Sequence, residues 1–157
     1  MAKLLLMGGS HPVQYILLVE SNLRDPSLHT LLGLNEPIPG LADYLLDDVP
    51  IQELLIDPGI EKLRLLLAGR KTPNSAELLG SGKMRHLVEE FKARYDNRYI
   101  IFDAPAVSTY PDTLVLSEMM DVTVVVIGAG STPLERILET EEKLRDKRMI
   151  GFVLNKA

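Results

Sequence analysis

Six short, nearly continuous apolar runs constrain this chain more than any other feature: Lys3–Met7, Tyr15–Val19, Leu63–Leu67, Tyr99–Phe102, Val122–Ile127 and Ile150–Leu154. Runs of this length without polar alternation suit strands covered on both faces, as in parallel sheets. Helical patterns separate them. Ser81 stands where it can cap a helix with apolar positions Met84, Leu87, Val88, Phe91 and Tyr95. Thr132-Pro133-Leu134-Glu135 reads as an N-cap, an N1 proline and a capping-box glutamate, opening a helix that buries Leu134, Ile137, Leu138 and Leu144. Asp112–Met120 is a third, shorter helix. Strands alternating with helices predict an α/β fold, with a mostly parallel, doubly wound sheet in a three-layer architecture.

Arg24 to Pro58 differs in composition, being rich in Pro, Gly, Asp and Leu, with short pieces at Leu41–Leu46 and Ile51–Ile56. It reads as small helices packed over one end of the sheet. No linker or repeat divides the chain, so its 157 residues are expected to form one domain, with residues 1–14 as an atypical N-terminal segment. If Lys3–Met7 and Tyr15–Val19 are both strands, only Gly8–Gln14 joins them. A parallel crossover needs about a dozen residues. The two are then a hairpin, or the first lies outside the usual strand order.

Composition removes several function classes. A formal net charge of −5 with scattered basic residues argues against nucleic acid and against an anionic membrane surface. The absence of cysteine excludes disulfides and thiolate chemistry. No run approaches the roughly 20 residues that span a bilayer, and no signal peptide is visible, so the cytoplasm is the expected location. His11, His29 and His86 have no metal-ligand spacing.

Ligands of open parallel sheets bind at the carboxyl ends of the strands. Two strand ends carry acids there, Glu20 after Ile16–Val19 and Asp103 after Tyr99–Phe102. Paired acids at such positions suit Mg²⁺, which takes one or two carboxylates together with phosphate oxygens. The phosphate-binding pattern G-x-x-x-x-G-K-[ST] does not occur. Gly8-Gly9-Ser10-His11-Pro12 has no lysine, and Gly80-Ser81-Gly82-Lys83-Met84 puts methionine where a hydroxyl must meet Mg²⁺; the latter reads as a helix start. Arg70 and Lys71 are loop cations within reach of a phosphate, or simply solubilising.

Leu17-Leu18-Val19-Glu20-Ser21-Asn22-Leu23-Arg24-Asp25-Pro26 resembles the second Walker A-like segment of the bacterial tyrosine autokinases of capsule and exopolysaccharide synthesis. The similarity continues through Gly40–Leu45, Ala68-Gly69-Arg70, Asn74–Ser81, Tyr95–Pro105 and Gly151–Lys156, and is nearest to the branch encoded with exosortase-linked polysaccharide clusters. The resemblance implies a P-loop NTPase-like fold and Mg-ATP as cofactor. It implies Glu20 as a magnesium-linked acid and base, Asp103 as the Walker B acid, Asn22 and Arg24 beside the nucleotide, and Asn155 near the adenine. It implies, as partners, a polysaccharide-export or chain-length regulator or a full-length kinase, which would bring the chain to the inner face of the membrane, and it allows a homo-oligomer.

The departures are equally specific. Glu20 replaces an aspartate, Asn22 loses a charge, and the Walker A loop with its helix is missing. No tyrosine-rich tail follows Asn155. The expectation is a degenerate kinase-like binding or regulatory module with weak or no phosphotransfer. The alternatives are an active tyrosine kinase or ATPase using Glu20 and Asp103, and a relative of the partition-type ATPases.

Overall fold

The computed structural model describes residues 15–34, 38–94 and 98–156. The expectations for Lys3–Met7, the Gly8–Gln14 link, His11 and Tyr95 fall outside them. The chain forms two compact units that part between Ala104 and Pro105.

The first unit is built on β1 (Tyr15–Glu20), with α1 (Leu28–Leu31), α2 (Leu41–Asp47) and α3 (Ile51–Leu54) leading to β2 (Leu55–Ile56) and β3 (Leu63–Leu66). After β3 come α4 (Ser75–Leu79), α5 (Gly82–Arg94) and β4 (Arg98–Asp103). The sheet order is β2-β3-β1-β4. β1 pairs in parallel with β3 and with β4, while β2 runs antiparallel to β3, so the sheet is mixed but mostly parallel. The chain is an α/β protein, as its patterning predicts. The antiparallel β2 is a departure: Ile51–Ile56 carries a single turn of helix and then a two-residue strand, too short to leave a period.

Apolar burial explains the unit. Leu17, Val19, Leu23, Leu66 and Ala68 are fully buried from the strands and their loops, and Leu41, Leu79, Met84 and Leu87 from the helices. Each of the Leu, Val and Met side chains among them is worth about 1.5–3 kcal/mol by transfer. Helix α5 buries Met84, Leu87, Val88 and Phe91, the face its spacing predicts, and the Ser81 hydroxyl accepts the Met84 N–H at 3.2 Å as the expected cap. Lys83, in the glycine-rich stretch before it, pairs with Asp48 and lies 4.8 Å from the centre of the Tyr44 ring.

The second unit holds α6 (Asp112–Ser117), β5 (Thr123–Gly128), α7 (Leu134–Leu144) and β6 (Met149–Asn155), with β5 and β6 parallel. Two expectations for α7 are corrected here. The Thr132 hydroxyl accepts the Gly128 N–H at 3.0 Å, closing the turn before the helix, and the N-cap is Pro133. Of the four apolar positions only Leu144 is buried, and Leu134 and Leu138 are exposed. Helical spacing shows which side chains share a stripe, not what covers it.

The close approach of two loops in the first unit depends on glycine. Gly69 has φ +79°, and a Cβ there would fall on the Asp43 carboxylate and within 2.7 Å of the Gly40 nitrogen. Gly59 has nearly the same φ, +76°, with nothing within 4 Å. Gly69→Ala is expected to cost about 1–3 kcal/mol more than Gly59→Ala, because only the first adds a clash to the left-handed backbone. Urea midpoints of the two variants measure the difference.

Candidate functional site

The carboxyl ends of β1, β3 and β4 lie side by side, and the sequence's two acids meet there. β1 and β4 pair in register, with Glu20 opposite Asp103, and the Ser21 N–H donates to the Asp103 carbonyl at 2.8 Å. The parallel register carries the strand-end acids to one edge without any contribution from their side chains.

Glu20 is only 1% exposed, and both of its carboxylate oxygens accept backbone N–H groups. Oε1 accepts the N–H groups of Ser27 at 2.6 Å and Leu28 at 2.8 Å, the entry to α1. Oε2 accepts the Ala68 N–H at 3.0 Å, in the loop after β3. The Ala68 carbonyl in turn accepts the Ala42 N–H at 2.8 Å, the start of α2. One buried charge therefore ties α1 directly, and α2 through Ala68, to the end of the central strand. Charge-assisted hydrogen bonds of this kind repay the cost of burying a carboxylate.

Further bonds close the same two loops. Asn22 turns back on its own loop, donating to the Asp25 carbonyl at 3.0 Å and accepting the Asp25 N–H at 3.2 Å. Arg24 Nη1 donates to the Pro73 carbonyl at 2.6 Å, and the Thr72 N–H to the Leu23 carbonyl at 2.9 Å. Lys71 pairs with Asp25 at 3.1 Å. Arg70 pairs with Asp43 at 2.9 Å and also with Asp47. Arg24, set beside the nucleotide by the family resemblance, and Arg70 and Lys71, read as loop cations within reach of a phosphate or simply solubilising, are each directed to a protein partner.

Asp103 is the more open acid. Burial pushes its carboxyl above the ordinary carboxylate range, and the negative charge of Glu20 pushes it the same way. Asn155 belongs to the other unit, where its carbonyl accepts the Ala129 N–H at 2.8 Å and its side chain the Lys156 N–H at 2.9 Å. Glu20, Asn22, Arg24 and Asp103 thus share one sheet end, and Asn155 lies outside that unit. Sequence reasoning missed Ser27, Leu28 and Ala68, which act through backbone amides that no side-chain pattern marks.

As the side chains stand, Glu20 has little acceptor capacity left for a magnesium ion. Three N–H groups occupy Glu20, leaving about one of the roughly four acceptor positions of a carboxylate. Among the described residues no cluster of three or more Asp, Glu, His or Cys could hold a metal ion. No helix among them is long and apolar enough to cross a membrane.

Glu20→Ala would leave the buried Ala68 N–H and the part-buried N–H groups of Ser27 and Leu28 without their acceptor, so a loss on the order of 2 kcal/mol or more is expected in chemical denaturation. Asp103 has the opposite sign. Its folded-state pKa is raised, so the folded state binds more protons, and stability falls as pH climbs from the unfolded pKa through the raised one. Asp103→Asn is expected to stabilise the chain at pH 7 relative to wild type, and the gain is expected to vanish near pH 3. Urea midpoints across that range test the sign.

No protein-family model matches the chain. It is 32% identical over 142 residues to the tyrosine-protein kinase YwqD of Bacillus subtilis (strain 168), covering 89% of this chain and 59% of that protein. The chain spans about 60% of the length of YwqD and of its relatives CapB of Staphylococcus aureus and CpsD of Streptococcus agalactiae, and 19% of ptk of Acinetobacter johnsonii. The kinase domain of VpsO superposes with a TM-score of 0.83 at 27% identity, covering 92% of this chain and 71% of that one. The septum site-determining protein MinD of Pyrococcus horikoshii, solved with Mg-ADP, superposes with a TM-score of 0.69 at 19% identity, covering 90% and 57%. That likeness is one of fold, the P-loop NTPase-like fold.

Proposed function

Taking as premise that the chain's homologues are bacterial tyrosine-protein kinases, we propose that it is a kinase-fold module of capsule or exopolysaccharide synthesis that works by binding, with weak or no phosphotransfer of its own. The observation that carries this reading is the state of the sheet end. The acid that the family resemblance assigns to magnesium holds three backbone amides. The nearby cations Arg24, Arg70 and Lys71 hold a carbonyl or carboxylates.

Phosphoryl transfer depends on positioning and on donors aimed at the transferring group. One such donor is worth about 100-fold or more in rate. The 157 residues contain no G-x-x-x-x-G-K-[ST] to supply them. A preserved fold with its phosphate donors committed elsewhere is the expected form of a module kept for its surface. Its partner on this reading is a polysaccharide-export or chain-length regulator, or a complete kinase. Such a partner would hold it at the inner face of the membrane.

The register of Glu20 against Asp103 favours a second reading, in which the pair still serves Mg-ATP chemistry. Isothermal titration separates the two. The first predicts no heat of binding with Mg-ATP up to millimolar concentration. A micromolar dissociation constant, weakened by Asp103→Ala, would establish the second.

A further inference from the structure

The residue type at position 20 and the geometry around it point to a role other than metal binding. We propose that Glu20 is a positioning residue, whose carboxylate acts as a two-sided spacer between the loop after β1 and the loop after β3. The two oxygens face different parts of the chain, Oε1 reaching residues 27 and 28 and Oε2 reaching residue 68. The contacts span 7, 8 and 48 positions of sequence, so one side chain fixes both a local turn and a distant loop.

Length is the property that this job requires. An aspartate from the same Cα ends about 1.5 Å sooner. It can reach the entry of α1 or Ala68, but not both at 2.6–3.0 Å. A neutral group of glutamate's length still presents one oxygen and so keeps one side of the spacer. A metal-linked acid has the reverse priorities: the charge must stay, and a shorter carboxylate serves as well.

The Arg24–Pro73 and Thr72–Leu23 bonds also join these loops, but neither offers an acceptor to the amides of Ser27, Leu28 and Ala68. The Lys71–Asp25 pair is exposed at both ends, 68% and 85%, and such pairs contribute little. Glu20 is buried at 1%, where a hydrogen bond to a charge is strongest. The inference concerns the anchor alone and holds whether or not nucleotide binds.

The test uses the full chain and hydrogen exchange at the amides of Ser27, Leu28 and Ala68, read by NMR. Glu20→Asp, which keeps the charge, is expected to speed exchange by about tenfold or more on at least one side of the spacer. Glu20→Gln, which keeps the length, is expected to retain protection at Ser27 and Leu28 within about threefold, and to lose it at Ala68, because an amide NH₂ cannot accept. Titrating the wild type with MgCl₂ is expected to leave all three amides unmoved. Protection at all three in Glu20→Asp would overturn the proposal, as would Mg²⁺ shifting and deprotecting these amides. If Glu20→Asp fails to fold, the Glu20→Gln pattern and the magnesium titration still decide.

Discussion

A carboxylate buried at the end of a central strand must be compensated fully, and Glu20 is compensated by the backbone. The loops at the carboxyl end of the first unit's sheet are arranged around that requirement. Ser27 and Leu28 turn their N–H groups inward, and Ala68 bridges Glu20 on one side and Ala42 on the other. Gly40 and Gly69 allow the β3 loop and the start of α2 to approach closely enough for this bridge to form. The Gly40 N–H donates to Asp43 at 2.8 Å, and Arg70 reaches the same carboxylate.

The same interaction shapes the chemistry available there. A phosphate site needs N–H groups and cations pointing outward, with acids held ready for a cation. Here N–H groups point inward to Glu20, and cations pair with Asp25, Asp43 and Asp47. Asp103 shares in this: its own burial first, and the Glu20 charge beside it second, disfavour its ionisation. The fold resembles that of the VpsO kinase domain and of MinD, and the fold alone does not fix what its strand ends do.

Much of the fold was legible because apolar runs and helical spacing are local signals. β1, β3, β4, β5 and β6 fall on the expected runs, and the α5 face matches its spacing. What was hidden is non-local or made of backbone. Nothing in Leu55-Ile56 announces an antiparallel partner in Leu65-Leu66. Leu134 and Leu138 read as core because helical period does not report what lies opposite. The site was legible as a place and not as an arrangement. Glu20 and Asp103 were found from their strand ends, while the donors that hold Glu20 are amides that every residue other than proline carries.

The most direct measurement is of through-hydrogen-bond scalar couplings from the amide nitrogens of Ser27, Leu28 and Ala68 to the side-chain carboxyl carbon of Glu20, with and without Mg-ATP. The anchor account predicts couplings to all three, unchanged by the nucleotide. Their absence in the free chain, or their loss when Mg-ATP is added, would contradict it.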